Sequence, residues 1–337
     1  MLCGLRVLVT GGAGYVGSHV ALRLLEAGAE VVVLDDLSTG HPWAVLGAPL
    51  VVADVGDRKR LRALLQSGRF DALVHLAARI WVGESVRDPD GYYLANAARA
   101  FLLFGEAARA GVRCVVHSST AAVYGEPADG PLDEEAPLLP INPYGASKMM
   151  AERALADIAR AHGQRYAILR YFNVAGADPE ARIGEATPNN THLIKVALEA
   201  ALGLRPELAI HGTDYPTPDG TCIRDYIHVE DLAAAHVLAL RALAEGERRL
   251  VLNCGYGRGF SVREVVNMVE RVTGRRLPVV EGPRRAGDPA VLVAACQRIR
   301  DRLGWRPRFD DLAVIVATAW RWEQRLQARF GRRRRTR

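Results

Sequence analysis

The chain has 337 residues, 49% of them hydrophobic and 24% charged. That composition supports a real core and excludes a disordered or fibrous chain. The formal charge is +6, but five arginines lie in residues 332–337, so the remainder balances to +1. The excess is a terminal tail, and no nucleic-acid partner is expected. No apolar run reaches the ~18 residues of a membrane span, and the first ten residues lack a signal peptide's apolar stretch. Five widely spaced cysteines (Cys3, Cys114, Cys222, Cys254, Cys296) contain no CxxC pair. They read as small buried filler, with no disulfide framework, no metal site and a cytoplasmic setting.

Residues 5–9 form a β-rich run, and 15–26 have helical periodicity. Residues 30–34 are β-branched, 50–53 short and apolar, and 58–66 helical. Strands are expected at 72–76, 114–118 and 166–170, with helical stretches at 92–109 and 144–162. Continuous apolar strands alternating with helices predict an α/β fold, a Rossmann-type doubly wound parallel sheet covered on both faces. The second half is less regular. Residues 175–190 and 214–221 carry turn chemistry, while 193–202, 231–243, 261–273 and 310–327 read as helices. Residues 1–175 are expected to form a dinucleotide-binding domain and 176–330 a smaller mixed α/β substrate domain. The chain is expected to return in part to the first domain, and 331–337 to be a frayed basic tail.

The first strand runs into Thr10-Gly11-Gly12-Ala13-Gly14-Tyr15-Val16-Gly17, a G-x-x-G-x-x-G turn ahead of a helix. Glycines let the backbone turn tightly against a pyrophosphate, and the helix N-terminus offers free N–H groups. Asp35 follows 18 residues past Gly17, after the second strand. A carboxylate there suits the adenosine ribose hydroxyls and repels a 2′-phosphate, which favours NAD over NADP. Asp54, after the third strand, is a second candidate, for the adenine edge.

Tyr144 and Lys148 form Y-x-x-x-K, on one face of a helix. An ammonium one turn away is expected to lower a phenol pKa that is ordinarily near 10, making a general base. Ser118-Ser119-Thr120 ends a strand at the edge where open α/β sheets bind ligands. A Thr120 hydroxyl there is placed to bond a substrate oxygen.

Assembled, these segments resemble the extended short-chain dehydrogenase/reductase family, and within it the UDP-glucose (UDP-galactose) 4-epimerases. The likeness runs from about residue 6 to 322. It is carried by VTGGAGYVGSH, VGESV (82–86), SSTAAVYG (118–125), NPYGASK (142–148), RYFNVAGA (170–177), DYPTPDGTCIRDYIH (214–228) and PRRAGD (283–288). The resemblance implies interconversion of UDP-galactose and UDP-glucose with tightly bound NAD. Tyr144 takes the proton of the sugar 4-hydroxyl while C4 is oxidised. The 4-keto sugar then turns over and is reduced on its other face. Lys148 contacts the nicotinamide ribose, and Thr120 holds the 4-oxygen. The cofactor site would comprise Gly11, Gly14, Tyr15, Val16, Gly17, Asp35, Asp36, Asp54, Val55, Leu76, Ala77, Ala78, Asn96, Ser118, Tyr144, Lys148 and Phe172. The substrate would meet Thr120, Tyr144, Asn173, His192, Leu193, His211, Arg224, Arg285 and Asp288. The two arginines suit a diphosphate, Asp288 the uridine ribose and His211 the uracil. The resemblance also implies a homodimer.

Some positions depart from the pattern. Ile80 stands where some members have a lysine, removing one cofactor contact. Lys195 stands where proline is usual. Leu292 aligns roughly with a tyrosine that restricts N-acetylated sugars in some members, so a UDP-N-acetylhexosamine 4-epimerase is an alternative. A 4,6-dehydratase would need an acidic pair after the threonine, where this chain has Ala121 and Ala122. A catalytically dead NAD sensor using the basic tail would typically lack the Tyr or Lys, and both are present.

Overall fold

In the computed structural model, residues 2–126, 130–285 and 288–330 are described; the arginine tail lies outside them. Six strands come from the first half: β1 (Arg6–Thr10), β2 (Glu30–Asp35), β3 (Leu50–Val52), β4 (Ala72–His75), β5 (Cys114–Thr120) and β6 (Arg165–Tyr171). Short strands follow as β7 (Asn173–Ala175), β8 (Leu208–His211), β9 (Ile223–Arg224) and β10 (Tyr226–His228). Then come β11 (Arg249–Cys254), β12 (Phe260–Ser261), β13 (Val279–Gly282) and β14 (Val291–Leu292). The main sheet is parallel and seven-stranded, in the order β11-β6-β5-β4-β1-β2-β3. Its last strand, β11, belongs to the second half of the sequence.

The helices are α1 (Tyr15–Glu26), α2 (Arg58–Gly68), α3 (Val82–Arg87), α4 (Pro89–Tyr92), α5 (Arg99–Arg109) and α6 (Pro143–His162). Later come α7 (Leu193–Ala201), α8 (Val229–Ala244), α9 (Val262–Thr273), α10 (Gln297–Leu303) and α11 (Leu312–Phe330). Strand side chains alternate between two cores. Val7, Val9, Val74 and Val116 pack with α1 and α8. Leu8, Leu73, Val115 and Ile168 pack with α2, α5 and α6. Burial on both faces is why these strands read as unbroken apolar runs.

The expected helix over 92–109 is interrupted. A π-helical turn, Tyr93–Ala98, joins α4 to α5 and turns Asn96 inward, 2% exposed. Turns of this kind are uncommon and concentrate at functional sites. Helix α6 starts as its sequence directs: the Asn142 side chain accepts from Gly145 N at 2.9 Å, and Pro143 occupies the first position. It ends at Gly163, φ +69°. Ser261 and Glu264 form a reciprocal capping box on α9.

The sequence pattern shows little of β7 to β10 and β12 to β14, which have two to four residues each. Strands that short carry no periodicity, and distant partners fix them. Strand β9 pairs antiparallel with β12 and parallel with β14, and β7 pairs with β10. Four of the five cysteines are buried and free; Cys3 is exposed, contrary to the expectation of filler.

Candidate active site

The loop after β1 closes on itself. Gly14 N donates to Gly11 O at 3.2 Å. Gly11 has φ +74°, and a Cβ there would meet Ala77 N at 2.6 Å. A Cβ on Gly17 would meet Gly11 O at 2.0 Å. Gly14 caps α1 with no side-chain partner for its first N–H groups, and no acidic side chain lies in the first turn. Open amides beside a glycine cradle suit a pyrophosphate.

Asp35 ends β2 and is 7% exposed. Its carboxylate accepts from Ala13 N (2.9 Å) and Leu37 N (2.8 Å). Burial raises its pKa, and those amides oppose the rise. Asp36 accepts from Ser38 N and Oγ. Asp54 binds its own turn through Gly56 N at 2.7 Å and pairs with Arg99 at 3.0 Å. Tyr15 donates to Gly176 O at 2.6 Å, and burial keeps its phenol neutral.

These residues open onto a continuous cleft of about 1630 Å³, larger than the roughly 300–1,000 Å³ of a single small-ligand pocket. Gly11, Gly14, Tyr15, Val16, Gly17, Asp35, Asp36, Asp54, Val55, Leu76, Ala77, Ala78 and Phe172 line the expected cofactor part. A glycine cradle, free helix amides and a carboxylate at the end of β2 fit NAD.

At the middle of the cleft, Thr120 ends β5 and Tyr144 starts α6. Burial pushes the Tyr144 phenol above its usual pKa, and the neighbouring Thr120 hydroxyl opposes the rise. This runs against the expectation that Lys148 lowers that pKa: burial of the phenol outweighs it, and the value is raised. Lys148 is 3% exposed, and its Nζ donates to Ser118 O at 2.7 Å. Burial lowers the Lys148 pKa to about 8, with Glu152 holding the ammonium against it. Ser118, Asn96 and Lys148 stand behind the wall and not on it. The Ser118 hydroxyl pairs with His236 Nε2 at 2.7 Å. The Asn96 amide is bonded to the backbone of Arg79.

Asn173, His192, Leu193, His211, Arg224, Arg285 and Asp288 line the far end. Arg224 is 8% exposed; its guanidinium donates to Ile223 O at 2.9 Å and lies 3.8 Å from Asp288. Arg285 is exposed. His192 Nδ1 is 3.0 Å from Glu185. Burial lowers its pKa, but Glu185 raises it more, leaving it above the ordinary value. Sequence reasoning missed Glu185, Asn190 and Glu323 on the same wall. Lys195 is buried and paired with Glu323, whose carboxyl burial raises to about 7. That pair spans 128 residues of sequence, so no local pattern reveals it.

This geometry agrees with known proteins. Residues 7–255 match the model of the NAD dependent epimerase/dehydratase family. The chain belongs to that family. It is 57% identical to a UDP-glucose 4-epimerase of Azospirillum brasilense, over 97% of this chain and 94% of that one. A structure of the Brucella ovis UDP-glucose 4-epimerase in complex with NAD superposes with a TM-score of 0.92 at 46% identity, covering 94% and 98% of the two chains. The Bifidobacterium longum UDP-glucose 4-epimerase, in complex with NAD+ and UDP, gives 0.90 at 34% identity, covering 95% and 98%. Within this epimerase/dehydratase frame, Ala121 and Ala122 line the cleft beside Thr120 and supply no acid for dehydration. Among the described residues, no group of three or more His, Cys, Asp or Glu side chains can hold a metal ion. No described helix is long and apolar enough to cross a membrane.

Proposed function

We propose that this protein is an NAD-dependent epimerase that interconverts UDP-galactose and UDP-glucose at C4. One observation carries the reading. Tyr144 and Thr120 line the same cleft as a dinucleotide cradle and an arginine-bearing end.

NAD, when bound, would supply the hydride acceptor and donor for C4. Gly11, Gly14, Gly17 and Asp35 would hold it. Tyr144 takes the 4-hydroxyl proton, and Thr120 bonds the same oxygen. Lys148, tied to Ser118 O, keeps a cation behind the phenol. The 4-keto sugar turns over within the cleft, and Tyr144 returns the proton to the 4-oxygen. Arg224 and Arg285 hold the diphosphate throughout, so the nucleotide stays fixed while the sugar moves. Asp288 contacts the ribose, and His192, Leu193 and His211 frame the base. We place the enzyme in the cytoplasm as a homodimer.

The test is Tyr144→Phe, which keeps the ring and removes the base. Turnover should fall on the order of a hundredfold or more, with bound NAD unchanged. Wild-type turnover by this variant would overturn the assignment.

A further inference from the structure

A closed circuit of contacts holds the start of α6, although none of its outer members takes part in the chemistry above. Tyr92 ends α4, just before the π-helical turn, and is fully buried. Its ring stands edge-on to Tyr144, centroids 6.4 Å apart. Its hydroxyl donates to Glu84 Oε2 at 2.8 Å and accepts from Trp81 N at 2.9 Å. The Arg79 guanidinium lies over the same ring, 4.5 Å from its centre. Glu84 (2.8 Å) and Asp88 (2.6 Å) hold that guanidinium in place.

The backbone of Arg79 closes the loop. Its N–H donates to Asn96 Oδ1 at 2.8 Å, and its carbonyl accepts from Asn96 Nδ2 at 2.9 Å. Asn96 Nδ2 also donates to Ser147 Oγ at 3.2 Å. Ser147 Oγ donates to Tyr144 O at 2.8 Å. The circuit therefore runs Tyr144, Tyr92, Arg79, Asn96, Ser147 and back to Tyr144. Its Arg79 arm continues the strip Leu76–Ala77–Ala78 that faces the glycine cradle at Gly11. Tyr144 is thus tied to the wall of the dinucleotide site by two routes, an aromatic one at its ring and a hydrogen-bonded one at its main-chain carbonyl. The π-helical turn lies between Tyr92 and α5 and carries Asn96 into the circuit. A guanidinium held by two carboxylates over a ring is stiffer than apolar packing alone, because charge and geometry both fix it.

We propose that Tyr92, clamped by Arg79 and Glu84, is a positioning residue that sets the distance between the Tyr144 phenol and the sugar 4-oxygen. The proposal rests on Tyr144 being the base. A misplacement of about 1 Å costs on the order of a hundredfold in rate, while nucleotide binding lies at the other end of the cleft. The signature is therefore a loss of kcat without a change in KM.

The test compares Tyr92→Leu, Tyr92→Phe, Arg79→Met and Tyr144→Phe as purified holoenzymes. Bound NAD and thermal unfolding are measured beside kcat and KM for UDP-galactose. Tyr92→Leu and Arg79→Met should each lower kcat about tenfold or more, at unchanged KM and full NAD content. Tyr92→Phe keeps the ring and should lose less than Tyr92→Leu. The proposal is overturned if Tyr92→Leu and Arg79→Met keep wild-type kcat, or lose it only in proportion to bound NAD or folded protein. A fully active Tyr144→Phe would overturn the base assignment itself. An inactive Tyr144→Phe beside unaffected Tyr92 and Arg79 variants overturns the brace alone.

Discussion

Two alanine substitutions in the glycine loop separate a clash within the protein from a clash with its ligand. A Cβ on Gly17 would sit 2.0 Å from Gly11 O, 2.8 Å from Gly11 C and 2.9 Å from Gly12 Cα. All three are backbone atoms, so no side chain can swing away. Van der Waals contact needs about 3.5 Å, so the loop must open by more than 1 Å. Overpacking of this kind costs ~1–3 kcal/mol, and it moves the amides that face the pyrophosphate. A Cβ on Gly14 would meet only Gly11 O, at 3.3 Å, which a few tenths of an ångström relieves. Gly14 lines the cleft, so that Cβ would take up space where the proposed pyrophosphate binds. Gly17→Ala should lower both the thermal midpoint and the NAD retained per chain. Gly14→Ala should keep the midpoint of the NAD-free protein near wild type and lose NAD. Differential scanning calorimetry, with NAD released by acid and quantified, reads both. A Gly17→Ala protein with wild-type midpoint and full NAD would refute the packing argument.

Two further expectations follow from buried and partly buried charge. Arg170 and Glu152 are 5% exposed each and pair at 2.6 Å, with Ser119 and Tyr124 completing the set. Glu152→Gln should cost ~3–5 kcal/mol in chemical unfolding, because it strands a buried guanidinium; the double variant Glu152→Leu/Arg170→Met should recover much of that, and equal losses would contradict it. His192 has its pKa raised by Glu185, so its cationic contribution is full below about pH 6.5 and is lost as pH rises through the higher folded value. UDP affinity, measured by calorimetry, should weaken across that window in the wild type and show a smaller step in His192→Gln; identical pH profiles would remove His192 from the site.

The parts legible in sequence are those whose physics is local. β4 and β5 are buried on both faces and read as apolar runs, though β5 extends two residues past the expected Ser118, to Thr120. The glycine turn, Asp35 and the Tyr144–Lys148 spacing are likewise local, and the fold sets them around one cleft, with Lys148 just behind its wall. What stayed hidden depends on partners far along the chain. The two residues of β9 become a strand only between Phe260–Ser261 and Val291–Leu292. Lys195 looks anomalous until Glu323 arrives from α11. Spacing put Lys148 beside Tyr144, but burial, which spacing does not reveal, decides the direction of the phenol's pKa.

The central claim is oxidation and re-reduction at a single carbon. It is tested most directly by incubating the holoenzyme with UDP-galactose in deuterium oxide, with no added NAD, and reading the product by mass and proton NMR. The account predicts UDP-glucose of unchanged mass and inverted C4, still carrying protium at that carbon. Deuterium at C4, or a product lighter by one water, would contradict it.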